Sequence, residues 1–158
     1  MRRVLLTVLL PAALALSACG APAPDTNAFA QAAPGRGGDH AELNRLIDQY
    51  AREYQVPSSL VHRVVRRESN YNPAARNGPY MGLMQILPQT AQTMGHRGGA
   101  QSLLDAETNL RYGVKYLRGA WLVADGSEDK AVSWYSRGYY YEAKRRGLLE
   151  EAGLRPAR

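Results

Sequence analysis

From Leu43 onward the apolar residues recur at helical spacing, with Leu43, Leu46, Ile47, Tyr50 and Tyr54 on one face. An Asp39-x-x-Glu42 capping pattern predicts the start of this helix. Val56-Pro57 ends it and opens a second helix, with Pro57 at or near the first helical position. Leu60, Val61, Val64 and Val65 form the second apolar stripe, and Asn72-Pro73 predicts its stop. Asn72 to Gly82, rich in Asn, Gly and Pro, reads as a loop. Pro88 predicts a short helix ending near Gly95, followed by a second loop over 96–102. Asp105 can cap a longer helix faced by Leu110, Val114, Leu117 and Trp121 and ended by Asp125-Gly126. Ser127 can cap another, with Ala131, Trp134 and Tyr135 inward and Gly138 at its C-terminus. A last helix is predicted from Tyr140 towards Leu149. No run alternates as a strand would, and no motif repeats at a fixed period, so the fold class is all-α, compact, with short loops.

The chain ahead of Asp39 follows different rules. Arg2 and Arg3 precede an apolar stretch, Val4 to Leu16, in the manner of a secretory signal. That stretch is shorter than the ~20 residues a spanning helix needs. Leu16-Ser17-Ala18-Cys19 has the form of a lipobox and resembles the signals of bacterial lipoproteins, which implies cleavage before Cys19 and its acylation. An ordinary signal peptide with an incidental cysteine is the other reading, with Ala28-Phe29-Ala30 as a second small-x-small site, though far from the apolar run. Cys19 is the single cysteine, so the domain holds together by its core and not by a disulfide. Residues 20–38 are dominated by Ala, Pro and Gly and lack the bulk to repay ordering. The domain reading is therefore a signal at 1–18, an acylated cysteine and tether at 19–38, and a folded domain at 39–158. Its roughly 120 residues are the size of one ordinary domain.

Charge narrows the choice of partner. The chain carries +6, and removing Arg2 and Arg3 with the signal leaves +4. A basic surface suits an anionic partner. Export argues against nucleic acid and favours an acidic envelope polymer or an anionic membrane surface.

Glu68 is the candidate for chemistry. Positions 60, 64 and 68 stack on one helical face, and Leu60 and Val64 make that the core face. Arg66 and Arg67 are expected to point elsewhere. A carboxylate so placed is poorly solvated, and desolvation raises its pKa. The negative end of the helix dipole acts in the same direction. A carboxylic acid still protonated near neutral pH can donate a proton to a glycosidic oxygen. Spacing alone leaves open a Glu that simply emerges into solvent at the helix end.

The surrounding residues decide between these. Glu68-Ser69, Asn72-Pro73, Gly82-Leu83-Met84-Gln85 and Pro88 with Thr90-Ala91 resemble, in order and spacing, the core signature of lytic transglycosylase domains of the lysozyme-like superfamily. Asn109, Gly113, Tyr116 and Leu117 resemble the next block, and Trp134 to Gly138 the later one. The resemblance covers about residues 57 to 145 and implies a lysozyme-like helical fold. It implies that Glu68 protonates the oxygen between N-acetylmuramic acid and N-acetylglucosamine in peptidoglycan glycan strands. The ionised Glu68 would then deprotonate the muramoyl C6 hydroxyl, giving a 1,6-anhydro product with no cofactor. The substrate-contacting positions it implies are Ser69, Asn77, Gln85, Leu87, Tyr135, Ser136 and Tyr139. Tyr135 would donate its phenol to the ionised Glu68, while Met84 reads as core packing. A monomer on the periplasmic face of the outer membrane is implied, because Gly20 is not the Asp that favours inner-membrane retention.

The pattern also departs from the family. The loop from Asn77 to Gly82 is one residue shorter than usual, and Asn77 stands where a Ser is common. Ser136 and Arg137 replace the usual Asn and its small neighbour, which alters the grip on the N-acetyl group. Arg137 can meet a stem-peptide carboxylate or face solvent. Tyr139, Tyr140 and Tyr141 offer aromatic faces for sugars, with at least one expected in the core. His40, His62 and His96 lack ligand-like spacing, so no metal is expected. Two other activities stay open: a goose-type lysozyme-like hydrolase with Asp105 or Glu107 as second carboxylate, and a non-catalytic peptidoglycan-binding lipoprotein.

Overall fold

The computed structural model describes residues 36–155, with side chains from His40 onward. Cys19, the signal and most of the tether lie outside the described residues. The element order is α1 (Arg36–Glu53), α2 (Ser58–Ser69), β1 (Arg76–Asn77), β2 (Tyr80–Met81), α3 (Pro88–Thr93), a 3₁₀ turn (Ala100–Leu104), α4 (Ala106–Leu122), α5 (Glu128–Arg137) and α6 (Tyr140–Arg145). The architecture is all-α apart from one small hairpin.

Helix α4 is the hub, packing on α1, α3, α5 and the 3₁₀ turn. Its stripe Leu110, Val114, Leu117 and Ala120 is wholly buried, and Asp105 caps its start by accepting from the Thr108 N–H at 2.8 Å. Leu43, Ile47 and Tyr50 of α1 and Leu60, Val61, Val64 and Val65 of α2 fill the same core. Each such side chain contributes about 1.5–3 kcal/mol by leaving water. Two glycines in α4 let neighbours approach closely: Gly113 lies under the Met84 side chain, and Gly119 under the Tyr139 ring. A methyl group at either position would meet those side chains. Ser127 caps α5 by accepting from the Lys130 N–H, and Gly138 closes it at φ 82°.

Several boundaries differ from the sequence reading. Helix α1 begins at Arg36, so Asp39 lies inside it and the tether, read to Gly38, ends earlier. Helix α2 stops at Ser69, because Asn70 and Tyr71 adopt left-handed backbone at φ 49° and 65° before Pro73 is reached. The loop before Gly82 contains the hairpin β1–β2, with Arg76 opposite Met81 and Asn77 opposite Tyr80. Its two-residue turn puts Gly78 at φ 57°, a conformation hairpin turns assign to glycine. The end of the 96–102 loop winds into the 3₁₀ turn, which buries Leu103. Helix α6 ends at Arg145, followed at Gly147 (φ 75°) by turns that bury Leu149 and Ala152.

Candidate active site

Glu68 is the penultimate residue of α2, one turn beyond the fully buried Val64 and Val65. Its side chain keeps 22% of its exposure. Burial pushes its carboxyl above the ordinary carboxylate range, and the nearby Arg67 charge opposes this. Arg67 does not point away as expected: its Nε lies 3.7 Å from Glu68 Oε1. At that distance the contact is an attraction between charges and not a hydrogen bond. The acid thus sits at the edge of the core with one weak counter-charge among the described residues.

Beside it the Met81–Gln85 loop is held from three sides. Asn109, fully buried on α4, accepts from the Met84 N–H at 2.8 Å and donates to the Met81 and Leu103 carbonyls at 2.8 and 2.7 Å. Its amide group thereby ties this loop to the 3₁₀ turn. Gly82 packs against that amide at φ 72°, where a side chain would collide with Asn109. Gln85, itself at φ 45°, donates through Nε2 to the Gly82 carbonyl at 2.8 Å and the Ala75 carbonyl at 3.2 Å. Non-glycine residues at positive φ are uncommon and gather where a site over-determines the backbone. Asn70, Tyr71 and Gln85 are three of them, and they flank Glu68 and this loop.

Tyr135 joins the two parts. Its hydroxyl donates to the Met84 carbonyl at 2.8 Å, so the phenol is committed to the loop and not, as expected, to Glu68. Burial holds the phenol well above its usual pKa, and the Glu68 and Tyr116 groups add to the effect. Helices α2 and α5, which carry Glu68 and Tyr135, pack against each other.

A cleft of about 230 Å³ opens along this loop, walled by Gln85, Ile86, Leu87, Thr90, Tyr80, Tyr116, Tyr135, Ser136, Arg137 and Gly138. It brings together Gln85, Leu87, Tyr135 and Ser136 from the sequence reading. Ser136 sits in the last turn of α5 and donates to the Val132 carbonyl at 3.1 Å. Glu68 is not among the wall residues. Asn77 lies exposed on β1, opposite the wall residue Tyr80. Ser69 turns its hydroxyl back to the Val65 carbonyl at 3.1 Å. Tyr139 is corrected: it is 1% exposed, and its hydroxyl donates to the Tyr116 carbonyl at 2.8 Å, so it is core and not cleft. The exposed members of the tyrosine run are Tyr140 and Tyr141.

Sequence reasoning missed Tyr80, Tyr116, Thr90 and Ile86 as wall residues. The signal for Tyr80 was Gly78-Pro79 just before it, a turn dipeptide that returns the chain towards the cleft. Tyr116 packs against Tyr135 edge-on and against Tyr139 at a tilt, with centroids 5.3 and 4.8 Å away, an arrangement no helical spacing reveals. Met84, read as core, is wholly buried. None of the cleft's wall residues is an Asp or Glu. Asp105 caps α4, and Glu107 accepts from the Tyr50 hydroxyl at 3.0 Å and from Arg111 at 3.2 Å, both beside a separate groove. A larger, more apolar groove of about 820 Å³ is lined by Asn70, Tyr71, Asn72 and Pro73, immediately after Ser69 in the chain, together with Leu43 and Leu46.

The transglycosylase SLT domain family matches residues 45–147, most of the chain. The chain belongs to that family. The SLT domain is 36% identical over 98 residues to membrane-bound lytic murein transglycosylase F of Shewanella woodyi, covering 58% of this chain and 20% of that protein. It is 34% identical over 94 residues to soluble lytic murein transglycosylase of Escherichia coli, 51% of this chain and 14% of that one. It is 38% identical over 80 residues to membrane-bound lytic murein transglycosylase C of Haemophilus influenzae, 46% of this chain and 22% of that one. The SLT domain thus spans a fifth or so, or less, of the relatives it matches. No solved structure matches it significantly.

Proposed function

We propose that this SLT-domain chain is a peptidoglycan lytic transglycosylase. It cuts the β-1,4 bond between N-acetylmuramic acid and N-acetylglucosamine, with Glu68 as the catalytic acid and then base. The observation that carries this is a half-buried carboxyl at the end of α2 that burial holds towards its protonated form, in a fold whose nearby cleft has no carboxylate in its walls. Protonated Glu68 gives its proton to the glycosidic oxygen as the C–O bond breaks through an oxocarbenium-like state. The resulting carboxylate takes the proton of the muramoyl C6 hydroxyl, whose oxygen bonds to C1. The proton returns to Glu68, and water takes no part.

Two grooves on the surface supply room for a glycan strand, though Glu68 lines neither. One is lined by Asn70 to Pro73, directly following Glu68-Ser69, and the other includes Tyr135. Gln85 offers its Oε1 as an acceptor to sugar hydroxyls, since both hydrogens of its Nε2 are given to the Gly82 and Ala75 carbonyls. Leu87 and the Tyr80 and Tyr116 rings supply apolar faces. Ser69, Asn77 and Ser136 stand as weaker sugar contacts, since two of their hydroxyls already bond to helix carbonyls.

For location, the lipobox ending in Cys19 supports an acylated, exported protein held to the periplasmic face of the outer membrane and working as a monomer. Two of the relatives above are named membrane-bound, which fits this placement. Mass analysis of the mature N-terminal peptide and membrane fractionation test it; an unmodified soluble protein or an inner-membrane location would count against it.

The deciding experiment digests purified sacculi with the full chain and weighs the products beside Glu68→Gln. Products lighter by one water at the muramoyl end, absent with the variant, establish the activity and its acid. Ordinary reducing ends would make the enzyme a hydrolase, and binding without turnover would make it a scaffold.

A further inference from the structure

We infer that Arg137 is a substrate-reading residue that recognises a carboxylate carried by the muramoyl substituent of the glycan, an inference that rests on the peptidoglycan reading above. Arg137 is in the last turn of α5 and forms part of the cleft wall beside Ser136 and Gly138. Its guanidinium carbon lies 3.7 Å from the centroid of the Trp134 ring. Stacking fixes the plane of the guanidinium and leaves its edge N–H groups free to donate. No carboxylate lies within 4.0 Å of Arg137 among the described residues, which is also true of Arg52, Arg66, Arg97 and Arg118; its place in the cleft wall and its stack on Trp134 set it apart. A planar fork, pre-oriented, unpaired and set in a wall with no acid of its own, is complementary to a carboxylate.

The occupant follows from the substrate's chemistry. Sugar hydroxyls and acetamido groups are neutral and need no guanidinium. The anionic groups of the proposed substrate are carboxylates hanging from the muramoyl ring, either the lactyl carboxylate or those of an attached peptide. Their shared chemistry is what Arg137 matches. Arg137 shares its cleft with Tyr135, Gln85 and Leu87. It would favour muramoyl units in one register and so help to choose which bond meets the acid.

The test measures binding in the full chain carrying Glu68→Gln, so that turnover is not needed. Soluble glycan oligomers with peptides are compared with the same oligomers after their carboxylates have been converted to amides. The expected preference for the acid form is about tenfold at low salt, collapsing towards unity when Arg137→Gln is added. Arg137→Lys, which keeps the charge but loses the fork and the stack, should retain only part of it. Peptide-stripped oligomers, in which removing the peptide's amide bond exposes the lactyl carboxylate and no peptide carboxylate remains, separate the two sources. A preference that survives Arg137→Gln overturns the inference, as does an equal loss of affinity for acid and amide forms. Failure of the unsubstituted chain to cut either oligomer would instead count against the transglycosylase reading, and the binding ratio would still decide Arg137.

Discussion

In the Met81–Gln85 loop the buried polar groups are matched one by one, while the Glu68 carboxyl a short distance away has only the Arg67 charge at 3.7 Å. The two regions share a core and differ in how their polar atoms are treated. A loop that must present backbone and side chains in a fixed geometry gains from full satisfaction, because each unmatched buried group would cost about 1–3 kcal/mol. An acid that must release a proton gains from the opposite: a donor on its carboxylate would stabilise the ionised form and lower its pKa. The comparison assigns rigidity to the loop and reactivity to the helix end, and it can be broken from either side.

The largest effect is expected at the acid. Glu68→Gln should lower turnover of sacculi by about 10³-fold, the scale of general acid–base catalysis. It should not destabilise the fold. A carboxyl with a raised folded-state pKa contributes full stability below its unfolded pKa and loses it as pH rises through the folded value. The neutral amide escapes that loss, so at pH 7 thermal unfolding of Glu68→Gln should occur at or above the temperature of the unsubstituted chain. Below the ordinary carboxylate range the two should converge. A variant that is both inactive and clearly destabilised at pH 7 would make Glu68 a structural group.

The loop should respond in the reverse sense. Asn109→Ala strips partners from the Met84 N–H and from the Met81 and Leu103 carbonyls in a fully buried place. A loss of about 3 kcal/mol in denaturant unfolding is expected, with activity falling because the cleft floor is released. A near-neutral result would mean that the loop is held by packing of Leu83 and Met84 alone. Tyr135→Phe keeps the ring and removes one donor to the Met84 carbonyl, so a smaller cost of about 1–2 kcal/mol should appear. Were Tyr135 chiefly the partner of Glu68, its removal would instead alter the pH profile with little change in stability.

The same contrast explains what the sequence could disclose. Helical stripes such as Leu60-Val61-Val64-Val65, the Asp105 and Ser127 caps and the Gly138 stop are local, and each was legible. So was Glu68, because a four-residue step from Val64 carries it to the core edge. The left-handed stop at Asn70-Tyr71 was hidden, since neither residue demands positive φ. The role of Asn109 was hidden as well: it links Met81, Met84 and Leu103 from up to 28 positions away, and only the folded chain brings them to one amide. Tyr139 was misplaced for a related reason. The chain turns at Gly138, and the ring enters the gap left by Gly119, twenty positions earlier. Long-range steric complements of this kind leave no periodic trace.

The smallest effect predicted is also the most specific. Arg67 is half exposed, and its charge lowers a Glu68 pKa that burial raises. Arg67→Gln leaves burial unopposed, so the carboxyl should stay protonated to higher pH. The alkaline limb of kcat/KM, where the free enzyme loses its acid, should therefore move upward. Because Arg67 faces water, added salt should weaken its influence. Raising the ionic strength should carry the unsubstituted profile towards that of Arg67→Gln while the variant's own limb moves less. A limb that stays fixed in both would show that Glu68 is not the group whose protonation governs turnover. A limb that moves down would mean that Arg67 acts by shielding Glu68 from water and not by its charge. An upward shift suppressed by salt would place the acid where the comparison has it, poorly solvated and nearly unpartnered beside a loop in which polar partners are supplied.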